Sequence, residues 1–324
     1  MEQKPFIRVA AGVILDNHGQ VLLAQRPEGK PWAGWWEFPG GKIEAGETTH
    51  QALVRELKEE LGIEVSKTYP WVGFIYEYPK TKVELSFLRI YNWSGEIQGL
   101  ENQAFSWTTP AQAHQLGDLL PASIAPVQWL TIPDRYAISQ FQSPELTDAY
   151  WVRFEALLAC GVKLFQLREP HWPDGTGSAS LQVLFERMLA TCHAHGARLI
   201  INSVHPKAWW AKADGVQFRS QDAVQLEERP LPSDKLVGIS CHHLADILYA
   251  NHLNADFMVL GHVLPTSSHP DGTPLGWEQF QQFAMEAGRP VFAIGGQSEK
   301  TLETAREHGA HGIAFIRGER TSEK

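Results

Sequence analysis

Hydrophobic and polar positions alternate along the first part of the chain and run together along the rest. Residues 6 to 25, FIRVAAGVILDNHGQVLLAQ, place two apolar stretches around an Asn-His-Gly turn and so read as two strands. Residues 27 to 42, PEGKPWAGWWEFPGGK, are dominated by Pro, Gly and Trp, which predicts a loop leading into a short strand at Trp36 to Phe38 and closing on a Gly-Gly turn. Trp32, Trp35 and Trp36 read as packing residues of that loop. Between Gly41 and Ile63 the period becomes helical. Three further runs, Tyr69 to Tyr78, Lys82 to Trp93 and Phe105 to Thr108, read as strands. In the second, Val83, Leu85 and Phe87 alternate with Glu84, Ser86 and Leu88, the period of a half-buried strand. Residues 110 to 120 and 121 to 130 read as helical segments, completing an α+β domain over residues 1 to 131.

After a short linker, TIPD (131 to 134), the pattern changes. Apolar strand-like runs recur, each followed by a helical stretch: RYAIS (135–139), KLFQLRE (163–169), RLIINS (198–203), GVQFR (215–219), LVGISCH (236–242), FMVLGHV (257–263), PVFAIGG (290–296) and GIAFIRG (312–318). Continuous apolar runs, without alternation, suit a parallel sheet buried on both faces. Repeated βα units predict a (β/α)8 TIM barrel over residues 132 to 324, with a doubly wound sheet as the structural alternative.

Composition narrows the function. A hydrophobic content of 43% and a charged content of 20% over 324 residues describe an ordinary globular chain. A net charge of −9 argues against a broad phosphate-backbone surface, hence against a nucleic-acid polymer as partner, and leaves room for a mononucleotide. Cys160, Cys192 and Cys241 are widely spaced, which fits a reducing compartment. Cys192-His193-Ala194-His195 and Cys241-His242-His243 lack a second pair at zinc spacing. The first residues hold no long apolar segment, and the reading is a cytoplasmic protein with no membrane partner.

Candidate chemistry concentrates in GKIEAGETTHQALVRELKEELGI, residues 41 to 63. Glu56, Glu59 and Glu60 stand at i, i+3 and i+4, on one side of a helix, where like charges repel. A solvated acidic face is one reading. A hard cation is the other, because carboxylate oxygens are what Mg²⁺ and Mn²⁺ prefer. Gly41, Glu47, Arg55-Glu56-Leu57, Glu59-Glu60 and Gly62-Ile63 recur at fixed spacing, and this pattern resembles the signature of the Nudix hydrolases. The resemblance implies Mg²⁺-dependent hydrolysis of a nucleoside diphosphate linked to a further group.

Residues 9 to 65 are similar to the MutT branch, the 8-oxo-dGTP diphosphatases, through VAAGVILDNHGQVLLAQRPEG and EFPGGKIEAGET, with VELSFLRIYNWSGE later in the chain. That resemblance implies Glu56, Glu59 and Glu60 as metal ligands, the Gly40 carbonyl as a further one, and Glu56 as the group that deprotonates or orients water. It implies Arg26 and Lys42 near the phosphates and Phe38 against the base, with Glu47 and Arg55 organising loop and helix. Two positions depart from the branch. Ser123 stands where an Asn reads the oxidised guanine, and Ser106 precedes Trp107 where a Glu helps to bind metal. Glu101, a few residues upstream, is the candidate substitute.

In the barrel, polar residues fall at strand ends: Arg168, Asn202, Ser240 and His262, then Thr266 and Ser268 in the next loop. Gly295-Gly296 offers backbone N–H groups, and the set favours a phosphate ligand. FQLRE, LIIN, ADGVQF, GISCH, ADFMVLGHVLPTSSHPDGTPLG and PVFAIGG resemble the thiamine phosphate synthase/TenI family. Synthases of that family carry a Lys where Pro170 stands, an Asp that binds Mg²⁺ where Ser203 stands, and a Lys where His269 stands; Asp222 keeps the other metal carboxylate. Gly261-His262-Val263 resembles instead the TenI branch, in which a His acts as acid and base in thiazole tautomerisation.

The combined expectation is a hydrolase of oxidised purine triphosphates, using Mg²⁺ or Mn²⁺, joined to a barrel that binds a phosphorylated thiazole or pyrimidine or is degenerate. The alternative is a Nudix hydrolase of a thiamine-related or ADP-ribose-like diphosphate with a tautomerase-like barrel.

Overall fold

The computed structural model describes residues 4–266 and 272–317. The chain divides into two compact units, Met1–Ile132 and Pro133–Lys324. Among the described residues no helix is long and apolar enough to cross a membrane.

The first unit contains β1 (Phe6–Ile14), β2 (Val21–Gln25), β3 (Trp36–Glu37), β4 (Gly40–Lys42), β5 (Tyr69–Glu77), β6 (Lys82–Ile90) and β7 (Phe105–Thr108). They form a sheet in the order β4-β1-β6-β5 and a second in the order β3-β2-β7. β1 runs parallel to β6, and β4 pairs antiparallel to β1. The Gly-Gly turn expected here is therefore a short strand. Its glycines are required by crowding: a Cβ on Gly40, at φ 137°, would fall 2.2 Å from the Ala10 carbonyl oxygen. Leu88, a polar-side position in the sequence pattern, is buried, because both faces of β6 are covered at that end. Leu85 and Phe87 join Trp36, Phe38 and Trp71 on one face. Leu88 and Ile90 join Leu53, Leu57 and Leu61 on the other.

Those leucines belong to α1 (Thr49–Leu61), the helix that carries the acidic cluster. Thr48 caps it by a reciprocal bond set: its hydroxyl accepts from the Gln51 N–H, and the Gln51 side chain accepts from the Thr48 N–H. Gly62, at φ 71°, ends it in the left-handed conformation. Ala52, Leu53, Leu57 and Leu61 face the sheet, which leaves Arg55, Glu56, Glu59 and Glu60 toward the loop and solvent. Residues 110–115 form a 3₁₀ helix, shorter than the segment expected, and α2 (Pro121–Trp129) closes the unit.

The second unit is a closed barrel of eight parallel strands: β8 (Arg135–Ile138), β9 (Leu164–Leu167), β10 (Arg198–Asn202), β11 (Gly215–Phe218), β12 (Leu236–Cys241), β13 (Phe257–Gly261), β14 (Val291–Ile294) and β15 (Gly312–Phe315). β15 pairs with β8, which excludes the doubly wound alternative. Helices α3 (Thr147–Ala159), α4 (Ala179–Ala194), α5 (Lys207–Trp210), α6 (Ser220–Ala223), α7 (Leu244–His252), α8 (Gly276–Glu286) and α9 (Leu302–Glu307) connect successive strands.

Alternate strand residues serve two layers. Ala137, Phe165, Leu167, Leu199 and Ile201 pack outward with the helices. Inside, Tyr136, Phe257 and Phe292 pack against one another with ring centroids 5.4–5.6 Å apart. Beside them runs a buried amide network. Gln166 Nε2 donates to the Tyr136 hydroxyl at 2.7 Å, Asn202 Nδ2 donates to Gln166 Oε1 at 2.8 Å, and Gln217 Nε2 donates to Ser240 Oγ at 3.1 Å. Gln166→Leu would leave the Asn202 amide and Tyr136 hydroxyl short of a partner, at a cost of about 2–4 kcal/mol. The expected result is a lower denaturation midpoint for the barrel with the N-terminal unit's transition unmoved; coincident, unshifted transitions would contradict it.

Candidate functional site

The acidic face of α1 is organised by Arg55. Its guanidinium donates to both Glu47 oxygens at 2.9 Å, to Glu56 at 2.8 Å, and to the Lys42 carbonyl at 3.1 Å. Glu59 lies further off, at 3.5 Å, with 59% of its side chain open. Glu47 is held down to about 2, first by Arg55 and then by the Glu44 N–H. The Glu56 carboxylate rests directly on the Gly41 backbone: a Cβ there would fall 2.2 Å from the carboxylate carbon. Glu60 accepts the Gly40 N–H at 3.0 Å. Burial pushes its carboxyl up to about 7, and Glu56, Glu101 and Glu37 add to the effect.

Glu56, Glu59, Glu60 and the Gly40 carbonyl offer oxygen donors alone, the type that suits Mg²⁺ or Mn²⁺. Among the described residues no three acidic or imidazole groups already converge at metal-binding distance. Arg55 draws Glu56 and Glu59 to itself, and Glu60 turns onto Gly40. The donor set nevertheless fits a dication, since the buried Glu60 stands among acids with too little positive charge nearby.

Of the remaining candidates, Glu101 lies beside this face and Phe38 packs in the core on the other side of the sheet. Glu101 pairs with Lys30 at 2.8 Å, and both act electrostatically on Glu60. Its loop is tied to the helix, as Gln103 Nε2 donates to the Glu60 carbonyl and Gln103 Oε1 accepts the Glu101 N–H. The Ser106 hydroxyl donates to the neighbouring Trp107 carbonyl. Arg26 binds Glu37 at 2.6 Å and the Pro31 carbonyl at 2.8 Å. The Lys42 side chain is exposed. Phe38, only 4% open, packs edge-on against Phe87 in the core, and Ser123 is equally buried at the start of α2. Tyr78, read in the sequence only as the end of a strand, lies beside Trp32 and Tyr76, with its hydroxyl pushed up to about 12 by burial.

In the barrel, Asn202 is buried inside the amide network, so the strand-end ligand role expected for it meets a side chain already committed to Gln166. Ser240 accepts from Gln217. His262 Nε2 lies 3.2 Å from the Gly272 carbonyl, and Thr266 is half-buried. Ser268 lies outside the described residues. Gly295 and Gly296, at φ 91° and 65°, let the β14 loop press on its neighbour; a Cβ on Gly295 would fall 2.4 Å from the His262 Cβ.

Asp222, expected as an open metal carboxylate, is closed by Arg219, which donates to its two oxygens at 2.6 and 2.8 Å, and by the Ser203 hydroxyl at 2.5 Å. Arg219 was visible in the sequence as a basic residue ending GVQFR, as Arg168 nearly ends KLFQLRE.

The folded-state value of Glu60, near 7, lies above the usual 4.5, so the folded state penalises the ionised form. The penalty is absent below the unfolded value, grows as pH rises through this window, and reaches on the order of 3 kcal/mol above it. In the presence of a chelator, Glu60→Gln should gain stability over the parent between pH 5 and about 8. Parallel pH–Tm curves for the two proteins would refute this.

A family model described as NUDIX domain matches residues 5–130, and one described as Thiamine monophosphate synthase matches residues 136–318. The 8-oxo-dGTP diphosphatase of Haemophilus influenzae is 42% identical over 120 residues, covering 37% of this chain and 88% of that protein. The CTP pyrophosphohydrolase of Escherichia coli is 42% identical over 123 residues, 36% of this chain and 86% of its own. The putative thiamine-phosphate synthase 2 of Aquifex aeolicus is 29% identical over 187 residues, 58% of this chain and 97% of its own. The chain thus belongs to two families at once, as a Nudix hydrolase in its N-terminal domain and a member of the thiamine monophosphate synthase family in its barrel.

Proposed function

We propose that the Nudix domain hydrolyses oxidised purine nucleoside triphosphates, 8-oxo-dGTP above all, to the monophosphate and pyrophosphate, and so removes mutagenic precursors from the nucleotide pool. The observation that carries this reading is the seating of Glu56 and Glu60 on the Gly40-Gly41 backbone, which puts carboxylates and a carbonyl within one small region. Glu56, Glu59, Glu60 and the Gly40 carbonyl would hold Mg²⁺ or Mn²⁺, which when bound supplies charge neutralisation and a more acidic water. Glu56 takes the proton of the attacking water or orients it. Lys42 and Arg26 offset phosphate charge, Arg26 with its direction set by Glu37. By their place in the family pattern Phe38 and Ser123 would stand on the side of the base, and both would have to be uncovered to reach it, since each is only 4% open. The 42% identity to the 8-oxo-dGTP diphosphatase supports the same substrate.

A second reading has its own support. Ser123 presents one hydroxyl where an amide would present a donor and an acceptor, and the CTP pyrophosphohydrolase is equally similar. On that reading the substrate is a pyrimidine triphosphate; ADP-ribose-like or thiamine-related diphosphates complete the range. For the barrel, the strand-end polar groups and Gly295-Gly296 support a phosphorylated thiazole or pyrimidine ligand, with His262 as the acid and base if the ligand is turned over.

A substrate panel decides between these readings. With Mg²⁺, kcat/KM for 8-oxo-dGTP should exceed that for dGTP, CTP, ADP-ribose and thiamine-pathway diphosphates. Equal values for 8-oxo-dGTP and dGTP would remove the sanitising role, and a maximum at CTP would establish the second reading. Glu56→Gln should lower kcat by about 10²–10⁴. A loss smaller than that would assign the proton to another group.

A further inference from the structure

We propose that the barrel's anion site works without a divalent cation, Arg219 supplying the positive charge that a metal ion provides in a synthase-type barrel. The inference rests on the reading that the barrel holds a phosphorylated ligand. Its basis is a misfit between the residues at the barrel mouth and a metal ion.

A cation site of the synthase type needs two free carboxylates, one at the position of Ser203 and one at Asp222. Ser203 contributes a hydroxyl, which donates to Asp222 Oδ2 at 2.5 Å and accepts the Arg219 N–H at 3.1 Å. The Arg219 guanidinium takes Asp222 in the two-pronged geometry that is strongest for a carboxylate, Nε to Oδ2 at 2.6 Å and Nη2 to Oδ1 at 2.8 Å. Both carboxylate oxygens are therefore engaged, and a metal ion would have to displace a guanidinium to reach them. The charges already balance, because one carboxylate with one guanidinium sums to the same total as two carboxylates with a dication.

The neighbouring strand end adds a second guanidinium, whose charge the Glu169 carboxylate offsets only through space. Arg168 follows β9, is half-buried, and acts electrostatically against Arg219. Among the described residues its guanidinium has no hydrogen-bond or ion-pair partner. The adjacent Glu169 is committed elsewhere: it accepts from the Ser139 hydroxyl at 2.5 Å and from the Phe141 and Gln142 N–H groups at 2.9 and 3.0 Å. His205 beside it accepts the Glu169 N–H on Nε2 and so carries its proton on Nδ1, toward the Thr176 carbonyl; it is neutral in that form. Two guanidinium groups at one barrel mouth, with the local acids engaged, suit a phosphate monoester or diphosphate. Arg168 binds it directly, and Arg219 binds through its outward edge while anchored on Asp222.

The test is calorimetric titration of the full chain with inorganic phosphate, first in chelator and then with Mg²⁺. The wild-type affinity should agree within about twofold between the two conditions, and Arg168→Met should weaken it about tenfold or more. Arg219→Ala should weaken binding in chelator by a similar factor and make it recover with Mg²⁺, because Asp222 is released; Arg219→Lys should keep most of the affinity without Mg²⁺. Circular dichroism melts identify any variant that has lost its fold, and the wild-type comparison stands without the variants. Wild-type binding that requires Mg²⁺ would overturn the proposal while leaving a phosphate-binding barrel in place. No binding in either condition would overturn both.

Discussion

The Nudix face depends on one guanidinium. Three glutamates on one side of a helix repel, and the helix tolerates them because Arg55 lies among them. The same group reaches back to Glu47 and the Lys42 carbonyl, so the connecting loop and α1 share a single anchor. That anchor holds β4 against the helix, and β4 in turn presents the glycines on which Glu56 and Glu60 rest. The arrangement is poised between two partners for the same carboxylates. Arg55 satisfies Glu56 and Glu59 as the structure stands, whereas the buried Glu60 is satisfied by one backbone N–H and is left short of positive charge.

The barrel mouth shows the opposite imbalance. There the acids are committed, Glu169 to the β8 loop and Asp222 to Arg219, and Arg168 is the group left wanting. Each unit is thus incomplete in its own sign of charge. On the proposed readings a cation would complete the first and an anion the second, with a diphosphate compound and its metal ion in one half and a bare phosphate ester in the other.

Most of the fold was legible because its signals are local. Alternation in β6 and unbroken apolar runs in β8 to β15 report burial on one face or two, and the helical period between Gly41 and Ile63 holds α1. The strand at Gly40–Lys42 was not legible, because glycine carries no side chain to show a period; its existence rests on backbone pairing with residues 29 to 33 positions earlier. Leu88 misled for a related reason, since the second covering layer comes from a helix distant in sequence. The acidic face of α1 could be read residue by residue, as it lies on one helix. The barrel mouth could not. Asn202 is a strand-end residue in the sequence, but only the register of β9 against β10 brings it to Gln166. The Arg219–Asp222 pair sits at helical spacing, yet Ser203, which completes it, lies in the turn after β10.

Barrel closure also sets an order of events. The seam joins residues 135–137 to 313–315, and the Asp134 carbonyl accepts the Ile313 N–H while its carboxylate binds Arg135 and Arg306. Contacts this distant in sequence are slow to form and cannot exist until the last strand has left the ribosome. Every pairing of the Nudix unit, by contrast, is available once residue 132 has emerged. During synthesis the hydrolase half can therefore be folded while the barrel is still an open, unsealed sheet with two exposed edges.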